Sequence, residues 1–314
     1  MAGTDASSSP KAVADPKSPP KAQRSHRALS QRAMQHSHRE PEHEAFGLEP
    51  PPTQREIATM MVVTAVRALS EFGSSSPETV EQVCDRCFSG QTDEKRQEAA
   101  DAGAIAAIVS CMGLHPDNVV VQEKCILALG NICCGTDERG LARKQLAADV
   151  GALSAVLVAM RSHLGSSIVQ ESGSATVGNI ASHVDEPGLA RKSTAIEEGA
   201  FEAVVAGMRA HPTVATVQAF GSFCLANLTR ARGEVEATAL GADRDGPERK
   251  EKAVAAGAIE EVVKAMGAHA DDASVQELGA RALANITHRS ELLRKKAVES
   301  GARSEWLDGA VTAR

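Results

Sequence analysis

Seven cysteines and ten histidines are the side chains of this 314-residue chain best suited to metal or nucleophilic chemistry. Cys84 and Cys87 form a single Cys-x-x-Cys, and Cys133 and Cys134 are adjacent. A structural zinc wants four closely placed ligands, and no second pair stands at a matching distance. The cysteines fall instead into columns of small residues. Cys84 and Cys125 align with Gly173, Gly221 and Gly279, Cys111 with Ala159, Gly207 and Ala265, and Cys224 with Ala128, Thr176 and Ala282. Such columns predict small buried hydrophobes that let the third helices of neighbouring units approach closely, and no metal. His115, His163, His211 and His269 recur at spacings of 48, 48 and 58. Packed helices lie roughly 10 Å apart, whereas zinc–nitrogen bonds are roughly 2 Å, so this ladder cannot share one ion. The expectation is a histidine at a helix C-terminus that satisfies the last carbonyls of that helix. The chain has no GxxxxGK[ST], HExxH or GxSxG, and no coherent His/Asp/Ser set. No catalytic activity, cofactor or small-molecule substrate is expected.

The elements that carry these columns are repeated. Met112, Met160, Met208 and Met266 share the 48, 48, 58 spacing. So do Gly103, Gly151, Gly199 and Gly257, then Gln122, Gln170, Gln218 and Gln276, then Asn131, Asn179, Asn227 and Asn285. Self-similarity at a fixed period marks a repeat architecture. The last spacing is ten longer, which places an insertion around residues 230–248, rich in Gly and Pro. Ile105, Ile108, Val109 and Met112 stand at i, i+3, i+4, i+7, and the later units repeat the stripe as Leu153–Met160, Phe201–Met208 and Ile259–Met266. A second stripe follows in each unit: Val121, Leu129, Ile132; Val169, Val177, Ile180; Val217, Leu225, Leu228; Val275, Leu283, Ile286. Lys95-Arg96, Arg143-Lys144, Arg191-Lys192 and Arg249-Lys250 precede the Gly column. Each unit thus reads as a short helix, a turn at Gly-Ala, a second helix and a longer third helix.

Full units are expected over about 94–139, 140–187, 188–244 and 245–291. A degraded unit precedes them at 54–93, with Val62, Val63, Val66 and Leu69 as its second-helix stripe and Gly90 in the Asn column. Residues 292–314 read as a partial unit that caps the end. Residues 1–52 are rich in Ser, Pro, Lys, Arg and His without an apolar period, so they read as a disordered tail. Hydrophobic residues make up 42% and aromatics only 2%, so small aliphatic side chains must do the packing. The net charge of -7 and pI of about 5.8 argue against a nucleic-acid partner. No apolar run approaches the roughly 20 residues of a membrane span, and an odd cysteine count fits a reducing compartment, cytoplasm or nucleus.

From about residue 54 to 302 the sequence resembles the armadillo-repeat family. The resemblance rests on Ala-Gly-Ala-Ile at 102–105, Val-Gln-Glu at 121–123 and Leu-Gly-Asn-Ile at 129–132, which return at 256–259, 275–277 and, as Leu-Ala-Asn-Ile, at 283–286. It implies an all-α, right-handed superhelical solenoid of three-helix repeats spanning 53–302. It also implies a non-catalytic scaffold or adaptor that holds an extended segment of a protein partner, or alternatively a chaperone, assembly factor or exchange factor. In family members, asparagines at this repeat position hydrogen-bond the backbone of bound peptides, which makes Asn131, Asn179, Asn227 and Asn285 the candidates here. The residues themselves leave a second reading open, in which each Asn bonds helix ends inside the array. Nuclear-import receptors of the family carry tryptophan four residues before most of these asparagines, where this chain has Leu127, Ala175, Phe223 and Arg281. Phe220 and Phe223 form an apolar platform beside Asn227, and Arg281 and Asn285 hold the matching places one unit on. Phe223→Ala is expected to weaken binding with little loss of stability.

Overall fold

The computed structural model describes residues 50–58, 60–88, 92–232, 243 and 245–308. Residues 51–314 belong to one compact unit. The tail expected over 1–52 lies outside the described residues up to 49, as do Gly90 and most of the insertion. All regular structure among the described residues is helical. α1 (Gln54–Ala58), α2 (Val62–Phe72) and α3 (Pro77–Cys87) come first. Four sets of short, middle and long helices follow. They are α4 (Asp93–Asp101), α5 (Ala104–Leu114) and α6 (Val119–Ile132), then α7 (Glu138–Asp149), α8 (Ala152–Ser162) and α9 (Ser167–Ile180). Next are α10 (Glu186–Glu197), α11 (Ala200–Ala210) and α12 (Ala215–Thr229), then α13 (Gly246–Ala255), α14 (Ala258–Ala268) and α15 (Ala273–Thr287). α16 (Glu291–Glu299) and α17 (Ser304–Leu307) close the chain. Each long helix packs on the long helix before and after it, α3 on α6 through to α12 on α15. The middle helices α5, α8, α11 and α14 do the same.

Local chemistry sets the breaks. Gly103, Gly151, Gly199 and Gly257 sit at φ of +80 to +91°, a backbone that side chains disfavour, so the short helix ends there and the middle helix starts afresh. Asp137 and Asp185 cap α7 and α10 by accepting from the Gly140 and Gly188 N–H groups. Asn118, Ser166 and Asp272 cap α6, α9 and α15 in the same way. Both apolar stripes are inward: Ile105, Ile108, Val121, Leu129 and Ile132 are fully buried, as are their equivalents in later sets. Each such side chain stabilises the fold by about 1.5–3 kcal/mol.

Three expectations need correction. Val63 is 58% exposed, and the fully buried Ala65 takes its place in the stripe with Val62, Val66 and Leu69. Cys84 and Cys125 meet across α3 and α6 at 3.9 Å as that column predicts, but its glycines, Gly173, Gly221 and Gly279, do not serve long-helix approach. A Cβ there would stand 2.6 Å from Cγ of Met160, Met208 or Met266, so each glycine receives the methionine of its own set. The long helices come together at Gly130 and Gly178, where a Cβ would meet Thr176 Oγ1 at 2.6 Å and the Phe223 ring at 2.8 Å. The histidine rings do not cap their own helices. Nε2 of His115, His163, His211 and His269 bonds the carbonyls of Gly73, Pro116, Leu164 and Pro212, each in the turn one set earlier. The carbonyls at the ends of the middle helices belong to the Gln column. Nε2 of Gln122, Gln170, Gln218 and Gln276 donates to the carbonyls of the repeat Met and the repeat His of its own set.

Candidate partner-binding face

One face of α6, α9, α12 and α15 carries the Asn column and the residues a turn before and after it. Every Asn is half-buried. Asn131 Nδ2 donates to Phe88 O at 3.2 Å, Asn227 to Gly178 O at 3.1 Å and Asn285 to Ala226 O at 2.9 Å. Gly178 and Ala226 each lie one residue before the preceding Asn, so the column staples one long helix to the next. Asn179 departs from the pattern. The Cys134 thiol donates to Gly130 O at 3.2 Å, and Asn179 Nδ2 meets Cys134 Sγ at 3.9 Å instead. The reading in which the asparagines bond helix ends inside the array is therefore observed for three of the four. It leaves Oδ1 of each and the second Nδ2 hydrogen without a hydrogen-bond partner among the described residues.

Phe220 and Phe223 part company. Phe220 is 38% exposed. Phe223 is half-buried, its ring lying against Gly178 of α9. Arg281 of α15 lies over that ring with its guanidinium carbon 5.5 Å from the centroid. Phe223, Arg281, Gly178 and Asn227 thus meet at the junction of three long helices. Truncating a buried Phe costs roughly 3–5 kcal/mol, and half of that exposure change sets the scale here. Phe223→Ala should destabilise by about 2 kcal/mol in urea unfolding, against the small loss expected from sequence. An unchanged midpoint would show that the ring is held only by a partner.

Beneath the face lie basic side chains whose burial the sequence did not signal. Arg143, 1% exposed, donates to Cys134 O, Gln97 Oε1 and Asp93 Oδ1. Arg191 donates to Ile180 O, Ser182 O and Gln145 Oε1. Each arginine caps the preceding long helix and grips the preceding short helix. Ser193 occupies the next place of the Gln97 and Gln145 column, and Arg249 pairs with Asp243 instead. The lysines reach the ends of long helices too, Lys192 bridging the one before it and the one after it. Lys144 Nζ donates to Ser182 Oγ, Lys250 to His288 O, and Lys192 to Ala181 O and Asn227 O at 3.0 and 2.7 Å. Burial, reinforced by Arg249, Arg230 and Arg191, pushes Lys192 down to about 7. Burial also lowers Lys144 and Lys250. These columns were visible as repeated Arg-Lys pairs; their fixed register marks a structural role, but a charged pair carries no apolar period that would announce burial.

Thiol chemistry finds little support. Burial raises Cys111, Cys133 and Cys224 to about 12, and the hydrogen bond with Cys125, 3.9 Å away, raises Cys84. Thiols held this high are protonated at neutral pH and poor nucleophiles. Among the described residues no three His, Cys, Asp or Glu side chains cluster as metal ligands, and no helix is long and apolar enough to cross a membrane. Comparison with protein-family models and with curated proteins returns no match.

Proposed function

We propose that the chain is a right-handed armadillo-type solenoid of three-helix repeats that binds an extended protein segment along its long-helix face, without catalysis of its own. The observation that carries this reading is the Asn column. Four amides stand at equivalent places on successive long helices, each with acceptor and donor capacity left after its internal bond. An extended backbone presents alternating N–H and C=O groups that such amides can pair. Leu127, Ile168 and Phe220, each about 40% exposed, offer apolar contacts beside them. Peptides selected by display on the full chain provide the test. Asn227→Ala should weaken a selected peptide about tenfold, the worth of one hydrogen bond at the upper end, and cost about 1 kcal/mol of stability for the lost bond to Gly178. Unchanged peptide affinity with the same stability loss would reduce the column to an internal staple.

A further inference from the structure

We propose that the end of this face formed by α12 and α15 selects partner segments carrying a carboxylate side chain, held by Arg230 and Arg281; the proposal rests on the peptide-binding reading above. The chain has 41 acidic residues against 34 Lys and Arg, so unpaired cations are not forced by composition. Elsewhere on the face the charges are used internally. Lys124 pairs with Asp85 at 2.5 Å, Glu123 accepts from Ser166 Oγ at 2.7 Å, and Glu171 accepts from Thr216 Oγ1. Arg230 and Arg281 differ. Both are exposed, and neither guanidinium has a hydrogen bond or ion pair with a described residue.

Their placement suits an anion. Phe223, Asn227 and Arg230 follow at i, i+4 and i+7 on α12 and its end, and Arg281 and Asn285 hold the equivalent first two places on α15. Arg281 lies over the Phe223 ring, a contact with a ring face and not with a hydrogen-bond acceptor, so the N–H edge of the guanidinium keeps its donors. A carboxylate accepts two parallel N–H bonds from that edge. Asn227 and Asn285 flank the position and can hold the backbone that carries the carboxylate. Two cations on a chain of net charge -7 make a poor footprint for nucleic acid.

Random-peptide display on the full chain, repeated with the Arg230→Gln/Arg281→Gln double variant, tests this. Asp and Glu should be enriched among peptides selected by the wild type and not among those selected by the double variant. A selected acidic peptide, labelled and followed by fluorescence anisotropy, should bind the double variant at least tenfold more weakly, with a smaller salt dependence, while the melting temperature falls by no more than a few degrees as the Arg281–Phe223 contact is lost. Both side chains are exposed, so folding is not at stake beyond that one contact. Peptides selected without acidic bias would overturn the carboxylate assignment and leave the peptide face standing. Displacement of the labelled peptide by a twelve-nucleotide oligo-dT at equal concentration would point to nucleic acid and overturn it too. Failure to select any peptide would remove the peptide-binding reading itself, and this proposal with it.

Discussion

Gln170→Leu should lower the unfolding free energy by about 2 kcal/mol, although no surface residue changes. Gln170 is fully buried, and its Nε2 donates to Met160 O at 2.9 Å and His163 O at 3.1 Å. Met160 O lies in the last turn of α8 and has no partner in its own helix, because the last four C=O groups of any helix lack one; His163, the residue after α8, also receives the Ser166 N–H on its carbonyl at 3.0 Å. Leucine fills nearly the same space but donates nothing. Leaving a buried acceptor unsatisfied costs about 1–3 kcal/mol; Met160 O is left so here, while His163 O keeps its bond from Ser166 N–H. One effect opposes: Gln170 Oε1 is itself buried and unpartnered, so its removal returns part of the loss. Urea unfolding of the wild type and the variant decides the matter. A loss below about 1 kcal/mol would show that water reaches these carbonyls and that the Gln column is not the cap of the middle helix. Gln218→Leu should cost less, since the carbonyls it caps, Met208 O and His211 O, also accept from His211 N–H at 3.3 Å and Val214 N–H at 3.1 Å.

Stability should rise between pH 7 and about pH 9. Lys192 is held at about 7 in the fold, against 10.5 in a free chain. Across that interval the unfolded chain binds a proton that the folded one does not, so raising the pH favours the fold; below about 7 both states hold the proton and the contribution levels off. Lys144 and Lys250 are lowered in the same direction and add to the rise. Buried thiols reverse it at the upper end. Cys111, Cys133 and Cys224 stay protonated to about 12 in the fold and lose their protons near 9 when unfolded. The groups acting on Lys192 are Arg191 on its own helix, Arg249 and Arg230 as cations, and Asp243 as the opposing anion. A neutral amine suits the site, since its two N–H groups match the two carbonyls, Ala181 O and Asn227 O. The interval is worth a few kcal/mol at about 1.4 kcal/mol per pH step. Urea midpoints at pH 6, 7, 8 and 9 should climb above pH 7 in the wild type and climb less in Lys192→Met. A wild-type midpoint independent of pH, or an equal climb in the variant, would contradict the assignment.

The sequence by itself determined the helices, their order and their inward faces. Apolar residues at i, i+3, i+4 and i+7 can be buried together only on a helix, and the Gly column marks each break because its backbone needs φ near +85°, as in Gly103 and Gly151. Equivalent residues in successive units therefore had to meet equivalent surroundings, which is why Val121, Val169, Val217 and Val275 are all buried alike. Periodicity says which side of a helix faces inward; it does not say which neighbouring helix a side chain reaches. Tertiary structure alone decided that Met160 fills the space at Gly173, that His163 reaches back to Pro116, and that Arg143 joins Cys134, Gln97 and Asp93. The same limit applied to the Asn column. Its repetition was legible, but the bond from Asn227 to Gly178 O depends on how closely α9 and α12 approach, and that distance is set by Gly178 under the Phe223 ring. Arg281 was legible as a charge in the right column. Only the crossing of α12 and α15 placed it over Phe223, because long side chains from adjacent helices meet where packing brings their axes together, and no spacing within one helix encodes that.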